Sequence, residues 1–249
     1  MVSRWAYEAL AVEQASNNQL EKNYFDQKMK QSQAKWKKDF WVPEIKKQMD
    51  ILVRSDENSE ETMTHARQIL INEIDKEDYY WENLECIDCI DSIKNGTNYS
   101  MSRFSKLNSF LDFLTVQFNK TINDNNGEIQ EIIDSIGVKK YATIQKSYSN
   151  ESLMNLVTNK MEEDKLIIDN DIIYQNDEAI YNLPNEVSFV QSHFYAPQKY
   201  MFGIKVDTYW SNLIVIWVIA FFTYIKLYFD LLKRLIDGIQ VLFNRRRRT

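Results

Sequence analysis

The sequence predicts an all-α protein: a helical extracytoplasmic domain, then one transmembrane helix and a short cytoplasmic amphipathic basic tail. Three observations carry this. Apolar residues recur every three or four positions through most of the chain, the spacing of one helix face. Gly (5) and Pro (3) are scarce among 249 residues, which disfavours folds built on many tight turns. One uncharged apolar run, residues 213–225, lies inside a largely apolar stretch over residues 209–232.

Residues 1–15 predict an amphipathic helix with Trp5, Leu10 and Val12 as apolar anchors. Residues 16–181 predict an acidic helical domain, long enough to bury its own core. Its first helix spans about residues 19–41, with Leu20, Tyr24, Met29, Trp36 and Phe40 on one face. Pro43 interrupts that helix and fits the first turn of the next, where Ile45, Met49 and Leu52 continue the stripe. Ser59 with Thr62 supplies an N-cap for a helix running to about Ile93, and Asn95–Gly96 stops it. The clearest periodicity is Phe104, Leu107, Leu111, Leu114 and Phe118, widened by Phe110 and Phe113, so this helix belongs at the centre of the core. Residues 123–127 (NDNNG) predict a turn, and helical segments follow over about 129–148 and 152–163. Residues 166–174 place two β-branched runs around Asp169, Asn170 and Asp171, a small hairpin pattern. Residues 182–208 predict an irregular linker at the membrane interface.

A helix over residues 209–232 is about 36 Å long, enough for a hydrocarbon core of about 30 Å. Tyr209 and Trp210 open it as interface anchors; Lys226, which can snorkel, and Arg234 anchor the other end. Residues 233–249 form the basic tail, ending in Arg245, Arg246, Arg247 and Arg248. From residue 205 onward the chain has 8 basic and 3 acidic residues, against 22 and 33 before it. Basic residues beside a span stay inside, which puts residues 1–208 outside the cytoplasm and the C-terminus within it. Residues 1–20 hold no signal-peptide pattern. The expectation is therefore that Met1 is internal to a longer polytopic protein.

The acidic balance argues against nucleic acid as a partner, and the terminal arginines favour anionic lipid. None of the five glycines falls in a GxxxxGK[ST] or GxGxxG pattern, so the chain is expected to be non-catalytic and to hold no cofactor. Cys86 and Cys89 form a lone CxxC in an acidic helix, read as structural or incidental, with a local disulfide open to them in an oxidising compartment, and no metal site is expected. His65 and His193 stand alone and read as surface or packing residues. The Asn95, Asn98, Asn119 and Asn150 sequons are at the level an Asn-rich chain gives by chance.

Ser3-Arg4-Trp5-Ala6-Tyr7-Glu8-Ala9-Leu10 resembles the motif after the fifth transmembrane helix of G-type ATP-binding-cassette transporters, the White and pleiotropic-drug-resistance group with an ABC-2-type permease. Residues 209–234 resemble the sixth and last helix of those permeases, and residues 194–203 its lead-in in large bacterial members. The resemblance covers residues 1–15 and 194–235. It implies that residues 1–15 form a re-entrant or interfacial segment at the outer face, with Ser3, Arg4, Trp5, Tyr7, Glu8 and Leu10 as motif residues. Arg4 and Glu8, four apart, are expected to pair there. It also implies upstream transmembrane helices, a nucleotide-binding domain that holds ATP and magnesium, a homodimeric permease and a plasma-membrane location. The acidic middle corresponds in position to an external loop whose role the resemblance leaves open. The rival class is a stand-alone tail-anchored helical scaffold or tether with residues 1–204 in the cytoplasm. A membrane-anchored hydrolase has only scattered carboxylates behind it.

Overall fold

The computed structural model of the protein describes residues 2–54, 59–77, 80, 87–96, 99–182, 194–201 and 203–229. It is 75% helical and 8% strand, so the predominantly helical class holds while two small hairpins interrupt it. Two compact units emerge, residues 15–182 and residues 1–14 with 183–249.

The 15–182 unit begins with α2 (Phe25–Trp36), a π-helical turn (Lys37–Trp41) and α3 (Val42–Val53). Pro43 is the second residue of α3, directly after the π turn. The expected interruption at Pro43 is not seen: the backbone stays helical from Phe25 to Val53, and the wide π turn within it carries Trp41 inward, fully buried. Helix α4 (Glu60–Lys76) starts at Ser59, whose hydroxyl accepts the Thr62 N–H at 3.2 Å. It ends at Lys76, short of the single helix to Ile93 that periodicity predicts; α5 (Ile87–Asn95) is a separate element. Gly96, φ 69°, stops α5 as expected. Helix α6 (Met101–Ile136) buries Phe104, Leu107, Leu111, Leu114 and Phe118 against α2, α3 and α5. This is the central helix that the spacing predicts. Phe110 packs at the rim of the core, whereas Phe113 faces out at 53% exposure, so the stripe is narrower than its sequence.

The predicted turn at residues 123–127 is absent, because α6 runs through it. Asn125 is buried and its amide donates to Thr121 O at 2.7 Å, while Gln31 donates to Asn126 Oδ1 at 2.8 Å. Those bonds satisfy side chains that would otherwise favour a turn. The helix stops instead at Gly137 (φ 87°), and α7 (Val138–Tyr148) and α8 (Glu151–Val157) follow.

The hairpin pattern at residues 166–174 is real: β1 (Leu166–Asp169) pairs antiparallel with β2 (Ile172–Gln175), Asp169 opposite Ile172. Asn170 and Asp171 have φ of 50° and 60°, as a two-residue type I′ turn requires. Side chains of α4 grip the β2 edge. Glu73 Oε1 accepts the Ile173 N–H at 3.0 Å, and Lys76 Nζ donates to Ile173 O at 2.6 Å. Asn72 donates to Asp171 O at 2.8 Å. The other carboxylate oxygen of Glu73 takes the indole N–H of Trp41 at 2.8 Å, which ties the π turn to the same clasp.

In the other unit, α1 (Val2–Ser16) contributes its first turns. Residues 182–208, expected to form an irregular linker, contain a second hairpin, β3 (Gln198–Met201) with β4 (Ile204–Asp207). The strands have four residues each, too few for alternation to register in the sequence. Gly203, φ 81°, supplies the positive φ of the turn between Met201 and Ile204. Helix α9 (Thr208–Tyr228) follows directly. It is the one helix among the described residues long and apolar enough to cross a membrane, and 11% of its apolar window is buried. Residues 230–232 of the predicted span and the tail 233–249, including Arg234, lie outside the described residues.

Candidate functional site

Within the unit formed by residues 1–14 and 183–249, polar side chains that should seek water are instead buried together. Helix α1 turns Glu8, Ala9, Ala11 and Val12 inward, and Glu8 has no exposed surface. An isolated buried carboxylate is costly, so its oxygens demand partners. Oε1 meets Lys199 Nζ of β3 at 2.6 Å and the Tyr195 N–H at 3.4 Å. Oε2 accepts from Asn212 Nδ2, in the second turn of α9, at 2.9 Å. Asn212 also donates to Trp5 O at 3.2 Å and accepts from Lys199 Nζ at 3.3 Å. Lys199 stands 5.1 Å from the centre of the Trp5 ring, adding a cation–π contact.

Three elements thus meet on one ion pair. The hairpin is fixed to α9 by Thr208, whose N–H reaches Pro197 O at 2.9 Å and whose hydroxyl donates to Ala196 O at 2.5 Å. Ser211 donates to Val206 O at 3.5 Å. Thr208, Ser211 and Asn212 are all buried at the head of an otherwise apolar helix. Tyr195 holds a left-handed backbone, φ 73°, uncommon for a bulky residue and costing about 1–3 kcal/mol. That conformation is the one in which its N–H reaches Glu8.

Burial lowers the Lys199 pKa below its ordinary value; the Glu8 hydrogen bond and charge oppose that shift, and Arg4 adds to it. The Tyr195 phenol is pushed up to about 12, by burial first and then by Tyr7 and Glu8. The arrangement holds charge in place and offers no nucleophile paired with a base.

The motif residues separate along the helix. Trp5 and Glu8 join the cluster, whereas Ser3, Tyr7 and Leu10 are exposed. Leu10 is therefore no apolar anchor: at 61% exposure it lies on the face opposite Glu8 and Val12. Arg4 does not pair with Glu8. Its guanidinium lies 5.0 Å over the Phe194 ring, because Lys199 already occupies the carboxylate. Lys199 and Asn212 were missed from the sequence; a lone Asn at the edge of an apolar run was the available signal.

Of the expected interface anchors, Tyr209 is half-buried and Trp210 exposed, their rings 5.3 Å apart, and Lys226 is exposed in the last turn of α9. His65 is a surface residue, 2.9 Å from Asp171, and that hydrogen bond raises its pKa. Cys86 and His193 lie outside the described residues, as does the side chain of Cys89. Among the described residues no three His, Cys, Asp or Glu side chains are grouped to hold a metal ion.

No protein-family model matches this chain, and no curated protein or solved structure matches it either.

Proposed function

We propose that this chain is the C-terminal permease portion of an ATP-binding-cassette exporter in the plasma membrane. In this reading α9 is the last transmembrane helix, residues 1–208 lie outside the cytoplasm and the basic tail lies inside. The observation that carries the reading is the buried Glu8–Lys199–Asn212 cluster, where the N-terminal motif helix, the hairpin and the head of the apolar helix share one ion pair. A segment that closes the outer end of a translocation path beside the last helix needs such an attachment. The side chains that make it come from the two stretches carrying the family resemblance. The 15–182 unit then forms a large external domain. The chain itself hydrolyses nothing; ATP and magnesium belong to an upstream nucleotide-binding domain, with upstream helices, a second permease copy and lipid as partners.

Single cysteines at Ser149 and Thr249, in a background lacking Cys86 and Cys89, test the topology. In intact host cells, with any outer membrane permeabilised, an impermeant maleimide is expected to label Ser149→Cys and to reach Thr249→Cys only after lysis. Affinity capture from the same membranes is expected to retain an ATP-hydrolysing domain. Labelling of Thr249→Cys alone would favour the tail-anchored tether, and capture without ATPase activity would overturn the exporter.

A further inference from the structure

The β1–β2 hairpin offers hydrogen-bonding groups to a partner. In a hairpin closed by a two-residue turn, Asp169 and Ile172 exchange ladder bonds, and the alternation leaves the next pair, Ile168 and Ile173, pointing away from each other. The Ile173 N–H and C=O do point outward, where Glu73 and Lys76 take them. By the same alternation the N–H and C=O of Ile168 and Leu166 point outward on the opposite edge. β1 pairs only with β2, and among the described residues no group bonds the outward N–H or C=O of Leu166 or Ile168; the nearest contact is the Trp36 indole, which donates to Lys165 O just before the strand at 2.8 Å. The two edges are therefore unlike: α4 has capped one, and the other is open.

A groove of about 640 Å³ runs beside the open edge. Phe40, Pro43, Leu166 and Ile168 give it an apolar floor, and Glu163 and Asp164 stand exposed on its rim. The rim lysines are already neutralised, Lys47 by Glu44 at 3.0 Å and Lys165 by Asp177 at 3.1 Å. What remains is net negative.

We propose that β1 is a strand-addition site for an extended, basic peptide segment of another protein. The incoming strand takes the free N–H and C=O groups of Leu166 and Ile168, places alternate apolar side chains in the groove, and sets its cationic side chains against Glu163 and Asp164. This inference concerns the 15–182 unit alone and stands independently of the permease reading.

The test uses the full chain in detergent micelles and fluorescein-labelled five-residue peptides that alternate valine with lysine or arginine. Fluorescence anisotropy is expected to show at least tenfold tighter binding than for the glutamate counterpart. Methylating the ladder-forming amides is expected to remove that binding. Hydrogen exchange is expected to slow at the Leu166 and Ile168 amides when peptide is present. Ile168→Pro removes an outward N–H and part of the apolar floor but no β1–β2 ladder bond, so it is expected to weaken binding at least tenfold while Ile173 stays protected. Glu163→Gln with Asp164→Asn leaves the hairpin untouched and is expected to narrow the basic-over-acidic preference. Equal binding of acidic and basic peptides would overturn the proposal, as would unchanged exchange at β1. So would protection of β1 that rises with protein concentration alone, since the occupant would then be a second copy of this chain.

Discussion

At Glu8 a carboxylate gives up its hydration entirely and recovers an ammonium, an amide and a backbone N–H. Such a pair holds geometry more than it adds stability, because the desolvation of both charges offsets most of their attraction. Removing one member leaves the other charged and unpaired. Lys199→Met alone is thus expected to destabilise this unit by about 3–5 kcal/mol, and Glu8→Met with Lys199→Met to recover most of that loss. Equilibrium unfolding of the full chain and its variants in micelles measures both. Additive losses in the double variant would mean that the two side chains act separately. The sequence had marked Glu8 but gave it to Arg4, one helical turn away. Choosing between Arg4 and Lys199 required knowing that 191 residues later the chain returns to the same place.

Elements show where local signals suffice and where they fail. Ser59 caps α4 and Gly96 stops α5 as the residue types demand, since those effects act within a turn of the chain. At residues 123–127 local chemistry favours a turn, yet α6 runs through them: the Asn125 amide bonds back to Thr121 O within the helix, and a tertiary bond from Gln31 of α2 takes Asn126. The five-residue stripe of α6 was legible because a 3.6-residue period repeated over many turns has few alternatives. Its limits were not, since periodicity cannot say how far the neighbouring helices reach around. Leu111→Ala is expected to cost about 2–5 kcal/mol, as a fully buried leucine leaves a cavity. Phe113→Ala, although it removes more atoms, is expected to change stability by less than about 0.5 kcal/mol. Denaturant midpoints of the two variants decide this, and a larger loss at Phe113 would mean that its face is covered.

For the molecule as a whole, α9 combines 21 residues, an 18-residue window of mean hydropathy 1.6 and aromatic side chains that face outward along most of its length. Trp217, Phe221, Phe222 and Tyr224 are all exposed, which water does not favour and lipid does. Ile216→Arg places a charge near the middle of this helix, at about 2.5–3.5 kcal/mol on the insertion scale. The variant is expected to shift largely to the soluble fraction on alkaline carbonate extraction, while the unaltered chain stays in the pellet. Retention of both would mean that α9 is held by something other than its apolar surface.

By itself the sequence determined the predominance of helix, the central stripe of α6, the β1–β2 hairpin and the position of the long apolar helix. Each of these follows from interactions among residues near one another along the chain. Tertiary structure alone decided that Lys199 and Asn212 complete the charge of Glu8, that α4 caps one hairpin edge, and that the other edge stays open. Those pairings join residues about 100 to 200 positions apart, and spacing within one sequence holds no information about which buried charges will meet.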